Sequence, residues 1–318
     1  MVKQMALLGV YEEDSTSHFK ELKAVHFNLW IVQKTTKELI WDAIYFRGMS
    51  FYKYFADVGL RIEVGDETIS EIGLHLPAAK LVTSSFCDLE KNVLDEETND
   101  LIFGRQVVSR NNTISYTRQG ESVCDTVHGI SKIVETDSPD RFRATLKSAI
   151  TGNGEPTTAY LRFRYPIPQK NDIISPIGWG FAKKGFTFDV RLNDYREVLE
   201  YRGQSEIKDM KSGEEANIFI IHPATYAIVT QSPEPHYARL LEPKVWENYL
   251  SSCEPFAKKK KFIITQWNSR QFTHEKPFRV FAQLHKEFGT SVAFVYFVGI
   301  LTVPFLNGLF HLFSRLFE

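Results

Sequence analysis

With 38 Lys and Arg against 39 Asp and Glu, the 318-residue chain carries a net charge of −1, which gives it no bulk electrostatic hold on nucleic acid. Hydrophobic residues at 43% and aromatics at 14% supply a substantial core for one large domain or two small ones. Cys87, Cys124 and Cys253 are odd in number, far apart and outside metal-ligand spacing, a pattern that fits a reducing compartment.

The apolar run after Met1 (VKQMALLGVYEEDS) is short and followed by acids, unlike a signal peptide. Val25–Val32, Leu39–Phe46, Phe55–Glu63 and Ile69–Leu76 are rich in β-branched and aromatic residues, with turn-like separators, and predict an antiparallel meander that Pro77 ends. Leu81–Leu101 reads as more helical, and strand character returns at Thr113–Thr117 and Ile130–Val134. Ser138 as N-cap, Pro139 at the first helical position, Asp140 beside it and Gly152 past the end predict a helix. The Gly152–Pro156 stretch lacks the order of a phosphate loop and reads as a turn.

Tyr160–Tyr165 and Phe186–Leu192 alternate strictly and are the clearest strands. Asn193 or Asp194 caps a predicted helix running through Tyr201, and Asn217–Ile221 and Tyr226–Thr230 follow as strands. Pro243–Cys253 predicts a short helix. Phe278–Phe288 predicts an amphipathic one, with Phe278, Phe281, Leu284 and Phe288 along one side.

Ser291–Phe313 carries no charged side chain over a length that crosses a hydrocarbon core of ~30 Å as a helix. Pro304 predicts a kink there, and Asn307 and His311 open a polar stripe beyond it. The excess of Lys and Arg between Lys258 and Glu287 ahead of it keeps the preceding chain cytoplasmic, and the run Lys258, Lys259, Lys260 and Lys261 predicts contact with anionic headgroups. The expected fold is thus α+β: a mostly antiparallel, β-rich cytoplasmic domain over 1–255, with a sub-boundary near 135–155. A linker with an amphipathic helix follows over 256–290, and a C-terminal transmembrane or membrane-inserting helix over 291–318.

No histidine pair has metal-ligand spacing with a nearby acid, and no cofactor is implied. Asp194 with Glu206-Ile207-Lys208 has the order of a nuclease site but falls in a polar run, where a loop or helix end is expected. The candidate binding residues are Arg162 and Arg164 beside Tyr160 on one strand face, with Arg191 on a strand expected to neighbour it. Guanidinium groups beside an aromatic ring suit an anionic ligand through bidentate bonds and stacking. The alternative is an outer sheet face with Asp189 pairing one arginine.

The expected function is that of a tail-anchored protein whose cytoplasmic domain senses an anionic ligand or a protein partner. Membrane lipids are expected partners, and the tail is expected to self-associate. By arrangement alone, without a motif, this layout resembles the membrane-disrupting effectors of bacterial anti-phage defence. The alternative is a membrane-tethered enzyme acting on a lipid, nucleotide or nucleic acid.

Overall fold

The computed structural model describes residues 6–11, 19–34, 52–76, 86–103, 106–118, 120–136, 141–152, 157–168, 173–177, 185–192, 211–242, 246, 249–250, 261–273 and 276–286. The chain opens with β1 (Ala6–Tyr11), β2 (Glu21–Gln33), β3 (Tyr52–Val64) and β4 (Thr68–His75). The two-residue β5 (Cys87–Asp88) leads into short helices α1 (Glu90–Leu94) and α2 (Glu96–Phe103). Next come β6 (Val107–Arg110), β7 (Thr113–Arg118), β8 (Glu121–His128) and β9 (Ile130–Glu135). They are followed by β10 (Arg141–Thr151), β11 (Thr157–Ile167), β12 (Ile174–Ile177) and β13 (Gly185–Leu192). The remaining strands are β14 (Gly213–Pro223), β15 (Tyr226–Ser232), β16 (Tyr237–Leu241), β17 (Phe262–Ser269) and β18 (Phe278–Lys286).

These strands form two sheets. The smaller, eight-stranded sheet runs β15-β18-β13-β1-β4-β10-β9, with β12 on β13. The ten-stranded sheet runs β16-β17-β14-β2-β3-β11-β8-β7-β6, with β5 sharing an edge of β11 with β8. Both are mixed: β1–β13, β2–β14 and β8–β11 pair in parallel, and the other pairs are antiparallel.

The sheets face each other across one apolar core. Alternate residues of β3 (Ala56, Val58, Leu60, Ile62) and β11 (Leu161, Phe163, Tyr165) enter it from the larger sheet. Phe142 and Ala144 of β10 and Phe188 and Val190 of β13 enter from the smaller. Rings bridge the gap directly: Phe186 stands 5.4 Å from Tyr52 and 5.9 Å from Tyr54, edge to face. The Tyr226 hydroxyl donates to that of Tyr52 at 2.9 Å. The outer face of the larger sheet carries a second core, in which Leu89, Val93, Ile102, Trp246, Tyr249 and Leu250 cover Trp30, Phe55 and Tyr160. The larger sheet is therefore apolar on both faces, which is why β2 and β3 read as nearly continuous apolar runs.

Several expectations are corrected. The described residues are 74% strand and 7% helix, so the fold is mostly β rather than α+β. The helix expected from Ser138 to Gly152 is β10, paired with β4 on one side and β9 on the other. Its capping signals are worth about 1 kcal/mol each. A ladder on both edges, with Phe142, Ala144 and Leu146 buried at period two, outweighs them. Gly152 is there for close approach rather than as a helix stop: a Cβ would lie 1.6 Å from the Gly65 carbonyl oxygen. The expected amphipathic helix Phe278–Phe288 is β18 over its described part. Phe278, Val280, Ala282 and Leu284 are buried, and the strand pairs with β13 and β15.

The reading of a single-pass anchor with the bulk of the chain cytoplasmic is corrected as well. Among the described residues no helix is long and apolar enough to cross a membrane. The eight residues of α2 rise only about 12 Å, against a core of ~30 Å. With the anchor go the assignments as a ligand sensor and as a defence effector, which depended on that layout. Ser291–Phe313, including Pro304, Asn307 and His311, lies outside the described residues, as do Leu39–Phe46, Asn193–Tyr201 and Lys258–Lys260. Lys261 is exposed at the start of β17, and its carbonyl accepts the Ala224 amide at 3.0 Å.

One inner-face histidine ties this packing to pH. His222 is 1% exposed; its Nδ1–H donates to the Pro223 carbonyl at 3.1 Å, and its Nε2 has no partner. Burial pushes its pKa down to about 4, against a smaller opposing effect of the Pro223 bond. The unfolded chain, titrating near 6.5, then binds more protons than the folded one in the interval between. This contribution is complete above pH ~6.5 and is lost as pH falls from there through about 4. Unfolding free energies from urea titrations between pH 7.5 and 4.5 should fall by an amount on the order of 2–3 kcal/mol more in the natural chain than in His222→Leu. Parallel profiles for the two proteins would refute the assignment.

Candidate functional site

The outer face of the larger sheet places Tyr160, Arg162 and Arg164 at alternate positions of β11, directly opposite Arg61, Gly59 and Asp57 of β3. On the far side of β3, His26, Asn28 and Trp30 of β2 stand opposite Gly59, Asp57 and Phe55. Polar side chains from three strands are thus held in register on a face that Tyr249 and Leu250 cover.

Asp57 is fully buried and accepts four bonds. Arg164 gives Nε at 2.6 Å and Nη2 at 3.1 Å, Trp30 gives Nε1 at 2.8 Å, and the Tyr249 hydroxyl donates at 2.7 Å. Burial opposes ionisation of this carboxyl. The Arg164 charge and bonds, the Arg162 charge and the Tyr249 hydroxyl outweigh it and hold Asp57 below the ordinary carboxylate range. Arg164 lies over Phe55 at 4.5 Å and Tyr249 at 5.0 Å, and its Nη1 reaches the Leu250 carbonyl at 3.4 Å.

Arg162 is 1% exposed and spans two phenols: Nε donates to the Tyr249 hydroxyl at 2.9 Å and Nη1 to the Tyr160 hydroxyl at 3.0 Å. Its Nη2 has no partner, so the two guanidinium groups face one carboxylate and leave positive charge uncompensated. Tyr160, accepting from Arg162, also shares a hydrogen bond with His26 Nδ1 at 3.2 Å. Gly59 makes room for this contact, because a Cβ there would lie 2.4 Å from the Tyr160 oxygen. A neighbouring pair is built alike: Arg61 Nε donates to both Asp125 oxygens at 2.8 and 2.9 Å, and the Tyr116 hydroxyl to Oδ2 at 2.9 Å.

Tyr160 and His26 also floor a cleft of about 250 Å³. One wall is polar: Gln266 Nε2 donates to Asn217 Oδ1 at 2.7 Å, Asn217 Nδ2 donates to Glu215 at 2.8 Å, and Asn268 stands opposite Asn217. The other surfaces are aromatic, from Phe103 of α2, Tyr116, Phe219 and Tyr237.

The structure therefore brings Tyr160, Arg162 and Arg164 together, but buried rather than on an open face. Arg191 does not join them. It lies on β13 in the other sheet, where its Nη2 meets Asp189 at 3.2 Å. Sequence reasoning missed Asp57, Tyr249 and the cleft wall of Glu215, Asn217, Gln266 and Asn268. The available signal was polar residues at every second position of otherwise apolar strands, as in GEEANIFIIHP and FIITQWNS. The expectation of reduced cysteines is corrected at Cys87, which is disulfide-bonded, whereas Cys124 is free and exposed.

The chain matches no family model and no curated protein. Among solved structures, it is similar to an M1 zinc metallopeptidase from Deinococcus radiodurans, with 11% identity and a TM-score of 0.33. That match covers 85% of this chain and 43% of the other. A mutant form of an M1 zinc metallopeptidase from the same organism, bound to a Tyr-Ser-Ala substrate, matches at 9% identity and a TM-score of 0.32. That one covers 83% of this chain and 42% of the other, so the chain spans less than half the length of these structures.

Truncating one member of the Asp57–Arg164 pair leaves a buried charge alone. Arg164→Ala should cost about 3–5 kcal/mol in urea denaturation. A loss under about 1 kcal/mol for Arg164→Ala would mean that water screens the pair.

Proposed function

We propose that this chain is a binding module that holds a small, hydroxyl-rich ligand of monosaccharide size in the cleft on the outer face of the larger sheet. The observation that carries the reading is the cleft wall, where Gln266, Asn217 and Glu215 are joined side chain to side chain and face aromatic rings. Amide groups both donate and accept, as hydroxyls do, and ring faces suit the C–H surface of a sugar. A volume of about 250 Å³ is just under the range of sites for drug-sized ligands. The bonds within the wall also hold its side chains ready before a ligand arrives, which lowers the ordering cost of binding.

A ligand bearing a carboxylate or phosphate is the second reading, and one observation favours it: Arg162 has an unpartnered Nη2 and lies one bond behind Tyr160. Against it, Glu215 lines the same cleft, and the lining cation, Arg61, is committed to Asp125.

Ligand-observed NMR with glucose, galactose, N-acetylglucosamine, inorganic phosphate and acetate separates the two. At least one sugar should bind with a dissociation constant in the millimolar range, and Asn268→Ala should weaken it about tenfold. Asn268 is exposed, so melting of this variant should match that of the natural chain. Binding of phosphate or acetate without any sugar would favour the second reading; silence from all five probes would refute both.

A further inference from the structure

We infer that Arg61 grips the ligand of the cleft, and that this ligand is a neutral sugar offering its guanidinium two hydroxyls on adjacent ring carbons. The inference rests on the sugar-binding reading above and names the gripping residue and the ligand class within it. Strand register places the site. Ala24 of β2 stands opposite Arg61 of β3 on one side and Glu215 of β14 on the other, so the three form one row across the sheet. All three line the cleft. Neighbouring strands lie about 4.8 Å apart, which sets the backbones of Arg61 and Glu215 roughly 10 Å from each other. The cleft therefore has a guanidinium on one side, a carboxylate on the other, and a single methyl group as the floor between them.

Arg61 is fixed in place without being used up. Its Nε donates to both oxygens of the fully buried Asp125, at 2.8 and 2.9 Å, and the Tyr116 hydroxyl donates to the same carboxylate at 2.9 Å. Among the described residues, its terminal Nη1 and Nη2 bond to no side chain or carbonyl. A pair of neighbouring hydroxyl oxygens matches this planar fork and accepts from it without bringing charge. The sugar's own hydroxyl protons need acceptors, which Glu215 and the amide oxygens beside it supply across the row. A carboxylate on the ligand would gain less. Asp125 already balances the guanidinium charge, and Glu215 repels a second anion. Because Asp125 orients Arg61 beforehand, gripping a ligand costs little further side-chain freedom.

Ligand-observed NMR on the full chain tests this with glucose, galactose and N-acetylglucosamine, each beside its monodeoxy forms and the corresponding uronate. For the sugar that binds, removing either of two neighbouring hydroxyls should weaken binding about tenfold, and the uronate should bind no tighter than the sugar. Arg61→Lys keeps a positive charge for Asp125 but loses the fork. It should bind the sugar about tenfold more weakly, and it should no longer distinguish the sugar from those two deoxy forms. The deoxy series needs only the natural chain, so it decides the matter whether or not the variant folds. A sugar that loses affinity at no neighbouring pair overturns the inference, as does a tighter uronate. A folded Arg61→Lys that still discriminates as the natural chain does removes Arg61 from the site and leaves the sugar-binding reading standing. Absence of binding by all three sugars overturns both.

Discussion

A single carboxylate with no contact with water organises the outer half of this molecule. Asp57 accepts from Trp30 on β2, from Arg164 on β11 and from Tyr249 in the cover, so its bonds tie three elements to β3 at one level. An ionised carboxyl taken out of water is tolerated only when its lone pairs are filled, and an incomplete set costs several kcal/mol. Strand register follows from this requirement. A slip of β11 by one residue against β3 would send Arg164 into the apolar space between the sheets and leave Asp57 unpaired.

The same requirement explains why the larger sheet is covered twice. A two-layer β fold can leave its outer faces to solvent, with polar residues alternating along each strand. Here the outer face carries Trp30, Phe55 and Tyr160 around the charges, and it needs α1, α2 and the Trp246–Leu250 region above it. The arginines lie against rings rather than water: Arg164 over Phe55 and Tyr249, Arg162 beside Tyr249. The cleft is bounded by Ile102 and Phe103 of α2 on one side and by Tyr237 of β16 on another.

The strands were legible in the sequence where period two was unbroken. YLRFRY and FTFDVRL showed both their conformation and their two faces, and the faces are those observed. The grouping of Tyr160, Arg162 and Arg164 was legible for the same reason. Their burial was not, because it depends on Asp57 and Tyr249, 107 and 87 positions from Arg164 and Arg162 in the chain. The helices expected around Ser138 and Phe278 failed for a different reason. A cap or a 3.6-residue pattern is a local preference, whereas β10 is held between the preceding β9 and the remote β4, and β18 between the remote strands β13 and β15.

Tyr160 belongs both to the buried charge cluster and to the cleft, which makes the two one system. Its hydroxyl accepts from Arg162, faces His26 and lines the cleft floor. Arg162 in turn shares the Tyr249 hydroxyl with Asp57. A chain of short polar contacts therefore runs from the cleft through Tyr160, Arg162 and Tyr249 to the carboxylate that fixes the strand register. Any displacement of the Tyr160 hydroxyl would take a bond from a guanidinium group that already has one donor unpartnered, and a further buried loss is costly. The floor of the cleft is consequently held rigid from beneath, and adaptation to an occupant falls to its rim, where Asn268 is exposed and Tyr237 only half-buried.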